Sequence, residues 1–211
     1  MEIIVIDLGV INYHDALKVQ ENLFNEQISN KLSKLPTSLY VLICEHESVF
    51  TLGKNGDVTN IIYPNANIPI VKVNRGGDIT YHGPGQIVLY PILDLEKLQW
   101  GIAKYVEILE ELGILLCEKY QIVAKRLEGK NGVWIEEERK IMAIGIKASR
   151  YITMHGLAFN VNTNLEPYNH IIPCGIKDKR VTSLSNELGR EMNMVDVKNE
   201  IVEIFKSLLP E

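Results

Sequence analysis

The segment RGGDITYHGPGQIVLYPILDL, residues 75–95, decides the architecture of this chain. Its first twelve residues, the glycine-rich segment 75–86, hold four glycines and one proline beside Arg75, Asp78, Tyr81 and His82. The segment lies between two apolar runs that read as strands. A hairpin connection needs only about two to five residues, and extra glycines are useful where backbone approaches a ligand closely. The pattern is equally compatible with a binding loop and with a structural loop around a hydrogen-bonded histidine.

Nucleotide-binding motifs are missing from the glycine-rich segment. No lysine–serine or lysine–threonine pair follows the glycines, as a phosphate-binding P-loop requires, and the dinucleotide pattern G-x-G-x-x-G is absent. The segment therefore does not indicate ATP or NAD binding.

Apolar periodicity on either side of this segment predicts a mixture of strands and helices. Strands are predicted at residues 3–8, 39–44, 70–73, 87–93, 141–146 and 157–161, with two more around a turn at 129–132. Helices are predicted at residues 13–32, 102–117, from 182 to a stop at Gly189, and at 194–208 behind an Asn193 cap. Pro91 indicates an edge strand or a strand end.

The order of these elements defines the expected fold class. Strands and helices do not alternate regularly, so we expect an α+β fold with a mixed β-sheet flanked by helices. No linker composition marks a boundary, and we expect a single domain over residues 1–211. A small C-terminal helical lobe from about residue 182 stays open.

The composition is that of a folded, acidic chain. It has 211 residues, 46% of them hydrophobic, a formal net charge of −5 and a pI near 5.6. Such a charge argues against nucleic-acid partners and anionic membranes, which both need a dense basic surface. No signal-peptide pattern is present, and no apolar run reaches the ~18 residues of a membrane helix. We therefore expect a cytoplasmic protein, and without coiled-coil heptads we expect a monomer.

The three cysteines differ in their surroundings. Their odd count and wide spacing indicate neither a disulfide framework nor a metal site. Cys44 lies among large apolar residues and Cys117 lies on an amphipathic helix, so both are interpreted as packing residues. Cys174 stands between a proline and a glycine, near several cations, where a thiol is accessible and its pKa is lowered. Among the three, Cys174 is the candidate nucleophile.

Lys140 begins a predicted strand in which Met142, Ile144 and Ile146 share its parity, so its stem is expected to follow an apolar face. A snorkelling lysine at a strand end is the ordinary interpretation. A desolvated lysine amine loses its proton more readily. Lys140 would then accept the proton of a thiol, or it would stay charged and hold a thiolate; the sequence leaves both open.

Small residues recur on two predicted strands. Ala143 and Gly145 share one parity, and Gly156 and Ala158 repeat the same rhythm on the next strand. Two adjacent strands of this kind predict a shallow apolar floor, either for a ligand or for close packing of a helix.

Several motifs together resemble one family, the lipoyl(octanoyl) transferases of lipoate biosynthesis, which have the biotin/lipoate-protein ligase-like fold. The resemblance is carried by residues 75–95, then KIMAIG from Lys140, MHGLAFNVN from Met154, PCGI around Cys174 and VTSL, in the family's order. It covers roughly residues 40–190.

The resemblance implies an octanoyltransferase that needs no cofactor and no metal. It implies that Cys174 and Lys140 form a catalytic dyad, with His155 as a supporting residue. The substrate-binding residues that it implies are Arg75, Gly76, Gly77, Asp78, Ile79, Thr80, Tyr81, His82, Ala143, Ile144, Gly145, Gly156, Leu157 and Ala158.

The resemblance also implies two protein partners. The donor is octanoyl-acyl carrier protein, and the acceptors are lipoyl domains of 2-oxoacid dehydrogenase E2 subunits and the glycine cleavage H protein. Cys174 would carry the octanoyl group as a thioester to the ε-amine of a lysine on the apo lipoyl domain. Because such partners are acidic, we expect docking on local cations, namely Lys177, Lys179 and Arg180 after the cysteine and Arg139, Lys147 and Arg150 around the lysine strand.

Other functions remain compatible with the same fold. An ATP-dependent lipoate or biotin ligase would activate a free acid as an adenylate and need no nucleophilic cysteine. A non-catalytic module that binds acyl carriers would form no covalent adduct, and a cysteine thioesterase would release free octanoate.

Overall fold

The computed structural model describes residues 3–62, 67–175 and 178–210, and for Cys174 it describes the backbone only. Within these ranges the strands are β1 (Ile3–Ile11), β2 (Leu39–His46), β3 (Val49–Leu52), β4 (Ile70–Lys72), β5 (Ile79–His82), β6 (Gln86–Ile92), β7 (Ala124–Leu127), β8 (Lys130–Ile135), β9 (Arg139–Ser149), β10 (Ile152–Asn160) and β11 (Arg180–Val181). The α-helices are α1 (Tyr13–Leu32), α2 (Ile102–Lys119), α3 (Leu184–Leu188) and α4 (Met194–Ser207). Short 3₁₀ turns lie at Val58–Asn60, Glu166–His170 and Pro173–Gly175.

One large mixed sheet organises the described residues. Its strand order is β1-β2-β6-β10-β9-β8-β7, and β11 pairs in parallel with β9. The β1–β2 pair is also parallel, whereas the other neighbours in this sheet are antiparallel. Helices cover both faces, so the predicted α+β fold with a mixed, helix-flanked sheet is confirmed.

Two hydrophobic clusters hold the helices to the two faces of this sheet. On one face α2 buries the apolar stripe that its spacing predicts, including Tyr105, Leu109, Leu112 and Leu116. The α4 residues Val197, Ile201 and Phe205 belong to the same cluster as that stripe. On the opposite face α1 packs through Ala16 and Phe24 against β2, β6 and β10.

The helix ends follow the predicted capping chemistry. The Asn193 side chain accepts a hydrogen bond from the Val195 N–H at the start of α4. Gly189 ends α3 in the left-handed region at φ 65°, which a glycine adopts without steric cost.

A second, smaller sheet has the order β4-β3-β5. Its strand β3 was not among the predicted elements, and β5 occupies Ile79–His82, inside the segment predicted to be a loop throughout. The loop prediction was therefore wrong for these four residues. The side chains of Ile79 and Tyr81 on β5 pack with Phe50 and Tyr168 in a third hydrophobic cluster. These apolar contacts stabilise the short strand.

A break in the hydrogen bonding between β6 and β10 explains why a proline is tolerated at position 91. Strand β6 lies between β2 and β10, so Pro91 stands near a strand end, as predicted, but not on an edge strand. Leu157 pairs with Leu89, and the same register continued by two residues sets His155 opposite Pro91. Proline has no N–H to donate. His155 takes φ 57° and donates its own N–H to Oε1 of Gln20 on α1, at 3.1 Å.

Candidate active site

A pocket lies on the α1 face of the large sheet, and small residues form its floor. Gly145 pairs with Gly156 and Ala143 pairs with Ala158 across β9 and β10, and all of them line the pocket. The empty space in and at the mouth of the pocket, open solvent included, is about 450 Å³. The predicted adjacency of these small residues is therefore present in the structure.

The glycine-rich segment, rather than a helix, packs closely on this floor. A Cβ on Gly145 would lie 2.9 Å from Cδ of Arg75 and 3.1 Å from the Gly76 carbonyl oxygen. The Gly76 N–H also donates to the carbonyl oxygen of Ile146 at 2.8 Å. A side chain at Gly145 would push the segment away, which accounts for a glycine there.

The wall of the pocket is formed by part of the glycine-rich segment. Arg75, Gly77, Asp78, Thr80 and His82 line it. Among the other residues predicted to bind substrate, Ile144 and Leu157 also line the pocket, and so does His155. Gly76, Ile79 and Tyr81 are not in the lining, because Gly76 contacts β9 through its backbone and the other two face the third cluster.

Arg75 and Asp78 fix the shape of this wall. The buried Arg75 guanidinium donates to the Thr51 carbonyl oxygen at 2.7 Å and to Thr51 Oγ1 at 2.8 Å. Asp78 accepts from the N–H of Asp57 at 3.0 Å and from the side-chain amide of Asn60. Charge-assisted bonds of this kind hold the loops around the pocket in one arrangement.

Aromatic and imidazole rings close the pocket on the α1 side. The Tyr13 ring stacks on His82 with centroids 6.0 Å apart, and His46 Nε2 lies 2.7 Å from the Tyr90 hydroxyl. Burial lowers the pKa of His82 to about 3, helped by His46 and Arg75, and burial raises the pKa of Tyr13 to about 12. These groups are therefore neutral near pH 7.

Sequence reasoning missed three of the lining residues, Tyr13, Val88 and Tyr90. Tyr13 opens α1 and looks like a core residue of an amphipathic helix. Val88 and Tyr90 alternate on β6, and Val88 pairs with Ala158. Their alternation on the strand after the glycine-rich segment was the signal that could have identified them.

Lys140 lies outside this pocket, and a bulge sets its direction. Val133 pairs with Met142 but Trp134 pairs with Lys140, so β9 has one extra residue here. Ile141 and Met142 both enter the core cluster, which interrupts the simple alternation that we predicted for the Lys140 side chain. Its buried Nζ donates to the Asn131 carbonyl oxygen at 3.2 Å and lies 4.6 Å from the Trp134 ring centroid.

The 3₁₀ turn Pro173–Gly175, which carries Cys174, lies between Lys140 and the pocket wall. Pro173 lines a small cavity together with Lys140 and Trp134. On the other side, a Cβ placed on Gly175 would lie 3.3 Å from Oδ2 of Asp78. The backbone of Cys174 is thus held between a buried lysine and the lining of the pocket, while its side chain is outside the description.

The other two cysteines are buried packing residues. Burial raises the pKa of the Cys44 thiol well above its usual range and raises that of Cys117 to about 12. Both thiols are therefore protonated near pH 7 and are poor nucleophiles. Over the part of the chain that the structure describes, no cluster of three or more His, Cys, Asp or Glu side chains could hold a metal ion.

The predicted docking cations do not form one patch. Arg139 and Lys147 lie on the lysine strand β9 and Arg150 follows it directly, but Lys147 and Arg150 are at the end of the strand that is remote from Lys140. Arg139 pairs with Glu187 at 2.9 Å, and Lys179 pairs with Glu138 at 3.0 Å. Arg180 is exposed near the cysteine turn. Lys177 lies outside the described residues.

Among the helices within 3–62, 67–175 and 178–210, none is both long and apolar enough for a membrane span.

Several solved structures that are similar to this chain are lipoate- or biotin-protein ligases. P. falciparum LipL1 in complex with lipoate gives a TM-score of 0.72 at 17% identity, covering 98% of this chain and 62% of that one. The archaeal lipoylation system of Thermoplasma acidophilum, a bi-partite lipoate protein ligase and its E2 lipoyl domain, gives 0.72 at 15% identity, with coverages of 99% and 84%. Biotin protein ligase from Aquifex aeolicus, with biotin and ATP, gives 0.56 at 16% identity, with coverages of 97% and 69%. The fold is therefore the biotin/lipoate-protein ligase-like fold, as predicted.

Sequence relatives narrow this class to one family. The sequence profile of the lipoyl protein ligase A/B catalytic domain matches residues 12–206. The octanoyltransferase of Christiangramia forsetii is 44% identical over 223 residues, covering 98% of this chain and 95% of the relative. That of Flavobacterium johnsoniae is 46% identical over 213 residues, with coverages of 93% and 92%. The chain belongs to the lipoyl protein ligase A/B catalytic domain family, among its octanoyltransferases, and is an acyltransferase.

Proposed function

We propose that this octanoyltransferase takes the octanoyl group from an acyl carrier protein, holds it as a thioester on Cys174 and passes it to a lysine of an apo lipoyl domain. The observation that carries the proposal is the position of the turn Pro173–Gly175. Its backbone lies beside the buried Lys140 on one side and beside the Asp78 wall of the pocket on the other. A nucleophile at this point has a proton-transfer group and an acyl-binding pocket within reach.

The first half of the reaction forms the acyl-enzyme. The Cys174 thiolate attacks the carbonyl carbon of the carrier thioester, and the bond to the carrier sulfur breaks. The Lys140 ammonium gives its proton to the departing thiolate, so the carrier leaves as a free thiol. In this proposal the oxyanion that develops during this step is stabilised by backbone N–H groups, either of the glycine-rich segment or of the turn that carries Cys174.

The second half transfers the acyl group to nitrogen. The neutral ε-amine of the acceptor lysine attacks the Cys174 thioester, and the electron pair of the broken bond returns to sulfur. The neutral Lys140 amine takes the proton from the attacking nitrogen, which leaves an amide and restores the starting thiolate–ammonium pair. Exchange of one thioester for another is nearly balanced, and conversion of a thioester into an amide is downhill, so the sequence of steps runs without nucleotide hydrolysis.

The pocket suits the chain that is carried. Ala143, Ala158, Val88 and Leu157 give it apolar surface, and the paired glycines keep the floor low. Each methylene buried there contributes roughly 0.8 kcal/mol. Several methylenes of an unbranched chain would hold the octanoyl group during the exchange of protein partners.

A direct transfer assay tests the proposed activity. Octanoyl-loaded carrier protein and an apo lipoyl domain are mixed with the enzyme, with and without Mg-ATP, and the mass of the lipoyl domain is followed. We expect one octanoyl addition on a lysine without ATP, and no transfer by Cys174→Ser. Transfer that starts from free octanoate, requires ATP and survives Cys174→Ser would instead establish a ligase.

A further inference from the structure

One peptide group on β8 joins the buried Lys140 to a carboxylate on α2. Lys140 Nζ donates to the carbonyl oxygen of Asn131 at 3.2 Å. The N–H of the same peptide group belongs to Gly132, and it donates to Oε1 of Glu110 at 3.0 Å. This group, the peptide 131–132, therefore has the lysine at its carbonyl end and the carboxylate at its N–H end.

Glu110 is an unusual residue for its place on α2. Its neighbours on the buried face of the helix, such as Leu109 and Leu112, are apolar, and Glu110 itself is only 6% exposed. One turn further on, a Cβ at Gly113 would lie 2.9 Å from Cγ2 of Val133, so the helix comes very close to β8 here. A buried carboxylate is costly unless it is hydrogen-bonded. Glu110 must therefore be explained by the groups that it binds.

A glycine makes the orientation of the peptide 131–132 easy to lose. Gly132 has φ 118°, and a Cβ there would lie 2.4 Å from the Met142 carbonyl oxygen. Because a glycine accepts φ of either sign, the peptide plane before it can rotate at little cost. Rotation would turn the Asn131 carbonyl away from Lys140. The hydrogen bond to Glu110 opposes this rotation, since it holds the N–H on the side of α2.

The two oxygens of the Glu110 carboxylate have separate partners. Oε1 accepts from the Gly132 N–H, and Oε2 lies 3.2 Å from Nε of Arg126, which also pairs with Glu111. A carboxylate at the N–H end and an ammonium at the carbonyl end favour the same direction of the peptide dipole. Hydrogen bonds linked in this way strengthen one another.

We propose that Glu110 is a positioning residue for acyl transfer, which acts on Lys140 through the peptide 131–132. This inference rests on the proposed function, in which Lys140 exchanges protons beside Cys174. With Glu110 in place, the Asn131 carbonyl keeps the amine at a fixed point. Without it the peptide rotates and the amine loses that point, whereas the residues that line the acyl pocket are unchanged. Loss of Glu110 should therefore lower the limiting rate and leave KM for the donor as it is.

Two conservative substitutions separate the reach of the Glu110 side chain from its charge. Glu110→Gln keeps the length and an oxygen that accepts from the Gly132 N–H, whereas Glu110→Asp keeps the charge but is one methylene shorter. Acylation of Cys174 by saturating octanoyl carrier protein is followed by intact mass, and its rate constant does not depend on the folded fraction. We expect Glu110→Gln within about threefold of wild type and Glu110→Asp slower by about tenfold or more.

Arg126→Met is the matched control. It removes the ion pair of Glu110 but leaves the hydrogen bond to Gly132, so we expect the wild-type rate. If Glu110 served only this ion pair, Arg126→Met would be as slow as the slowest Glu110 variant, and Glu110→Asp would be faster than Glu110→Gln.

A second background shows whether Glu110 acts through Lys140. Glu110→Asp is combined with Lys140→Met, and the residual rate of acylation is compared with that of Lys140→Met alone. Two substitutions that remove the same contribution are not additive, so we expect the added change to alter the residual rate by less than about twofold. A purely structural role would lower the rate by the same factor in both backgrounds.

The outcomes are distinguishable. The role of Glu110 would be overturned, with Cys174 still acylated, by a wild-type rate in Glu110→Asp or by an equal loss in the two backgrounds. If Glu110→Asp does not fold, Glu110→Gln decides: a retained rate supports the role, and a loss of about tenfold overturns it. Absence of any acylation of wild-type Cys174 would overturn the proposed function and this inference with it.

Discussion

The Lys140 side chain is held in place by packing contacts around both its stem and its amine. Its stem is buried by Trp134 and Pro173, and its amine lies over an indole ring, where a cation is stabilised. A one-residue bulge in β9 turns it away from Met142 and the main core. A methionine would satisfy most of this packing but could not exchange a proton.

Lys140→Met is expected to slow acyl transfer by roughly 100-fold or more, because a positioned proton-transfer group contributes about that much. Single-turnover transfer from carrier protein to lipoyl domain measures it. Lys140→Arg is the matched control for charge: we expect it to stay slow, since a guanidinium does not give up its proton. Activity of Lys140→Met within tenfold of wild type would contradict a proton-transfer role for Lys140.

For single residues, sequence patterns identified the site residues that have unusual neighbours in the chain. They missed the site residues whose neighbours are ordinary. Cys174 stood out between a proline and a glycine, and Arg75 and His82 stood out among glycines. Tyr13 did not, because a tyrosine that opens an amphipathic helix is typical of a core. Its stacking on His82 depends on a contact between α1 and β5, and no local pattern encodes that contact.

Among the elements, the long helices were predictable, whereas the two short strands β3 and β5 were not. The predicted helix at 13–32 is confirmed at both ends, and α2 runs two residues beyond its prediction. These helices have several turns of periodic apolar residues, which is a strong signal. The strands β3 and β5 have four residues each. They form because Phe50, Ile79 and Tyr81 pack with Tyr168, far along the chain, and this packing overrides the glycine-rich context.

Gly156→Ala tests the close approach of β10 and β6. A Cβ would lie 2.1 Å from the Leu89 carbonyl oxygen and 2.7 Å from Pro91 Cδ, so one of the strands must move. We expect a loss of about 2 kcal/mol or more in the free energy of unfolding, measured by chemical denaturation.

The matched control for this substitution is Gly101→Ala. Gly101 precedes α2, and a Cβ there would meet no atom within 4 Å. Its effect should stay below about 1 kcal/mol, the size of an N-cap change. Equal destabilisation by the two substitutions would show that the approach of β10 to β6 is looser than the structure indicates.

For the whole molecule, buried imidazoles link stability to pH. Burial lowers the pKa of His46, and lowers those of His82 and His155 to about 3. Between pH 6.5 and 3 the unfolded chain therefore binds protons at His82 and His155 that the folded protein does not bind. The free energy of unfolding should fall as the pH falls through this window, by roughly 1.4 kcal/mol per pH unit for each such histidine.

Urea denaturation between pH 6.5 and 5 measures this effect before most carboxylates titrate. His155→Asn should reduce the slope by about one proton, whereas His14→Gln, at an exposed position, should leave it unchanged. A free energy of unfolding that does not change between pH 6.5 and 5 would mean that these rings are solvated.

Because the net charge of the chain is −5, an acidic partner is repelled by the surface as a whole. Such a partner therefore needs local cations at its docking site. Arg180 is exposed near the cysteine turn, and Arg150 is exposed beyond the far end of β9. Arg180→Glu should raise KM for the carrier protein several-fold at low salt, with a smaller effect at high salt. Arg150→Glu makes the same change in net charge and should leave KM unchanged; equal effects would indicate long-range repulsion without a docking site at Arg180.

Capture of the acyl-enzyme is the decisive experiment for a thioester on Cys174. The enzyme is mixed with an equimolar amount of octanoyl carrier protein, quenched in acid, and examined by intact-mass spectrometry and peptide mapping. We expect one octanoyl addition on Cys174, none on Cys44 or Cys117, none in Cys174→Ser, and loss of the adduct when an apo lipoyl domain is added. Transfer to the lipoyl domain with no octanoyl on Cys174 at any time point would contradict it.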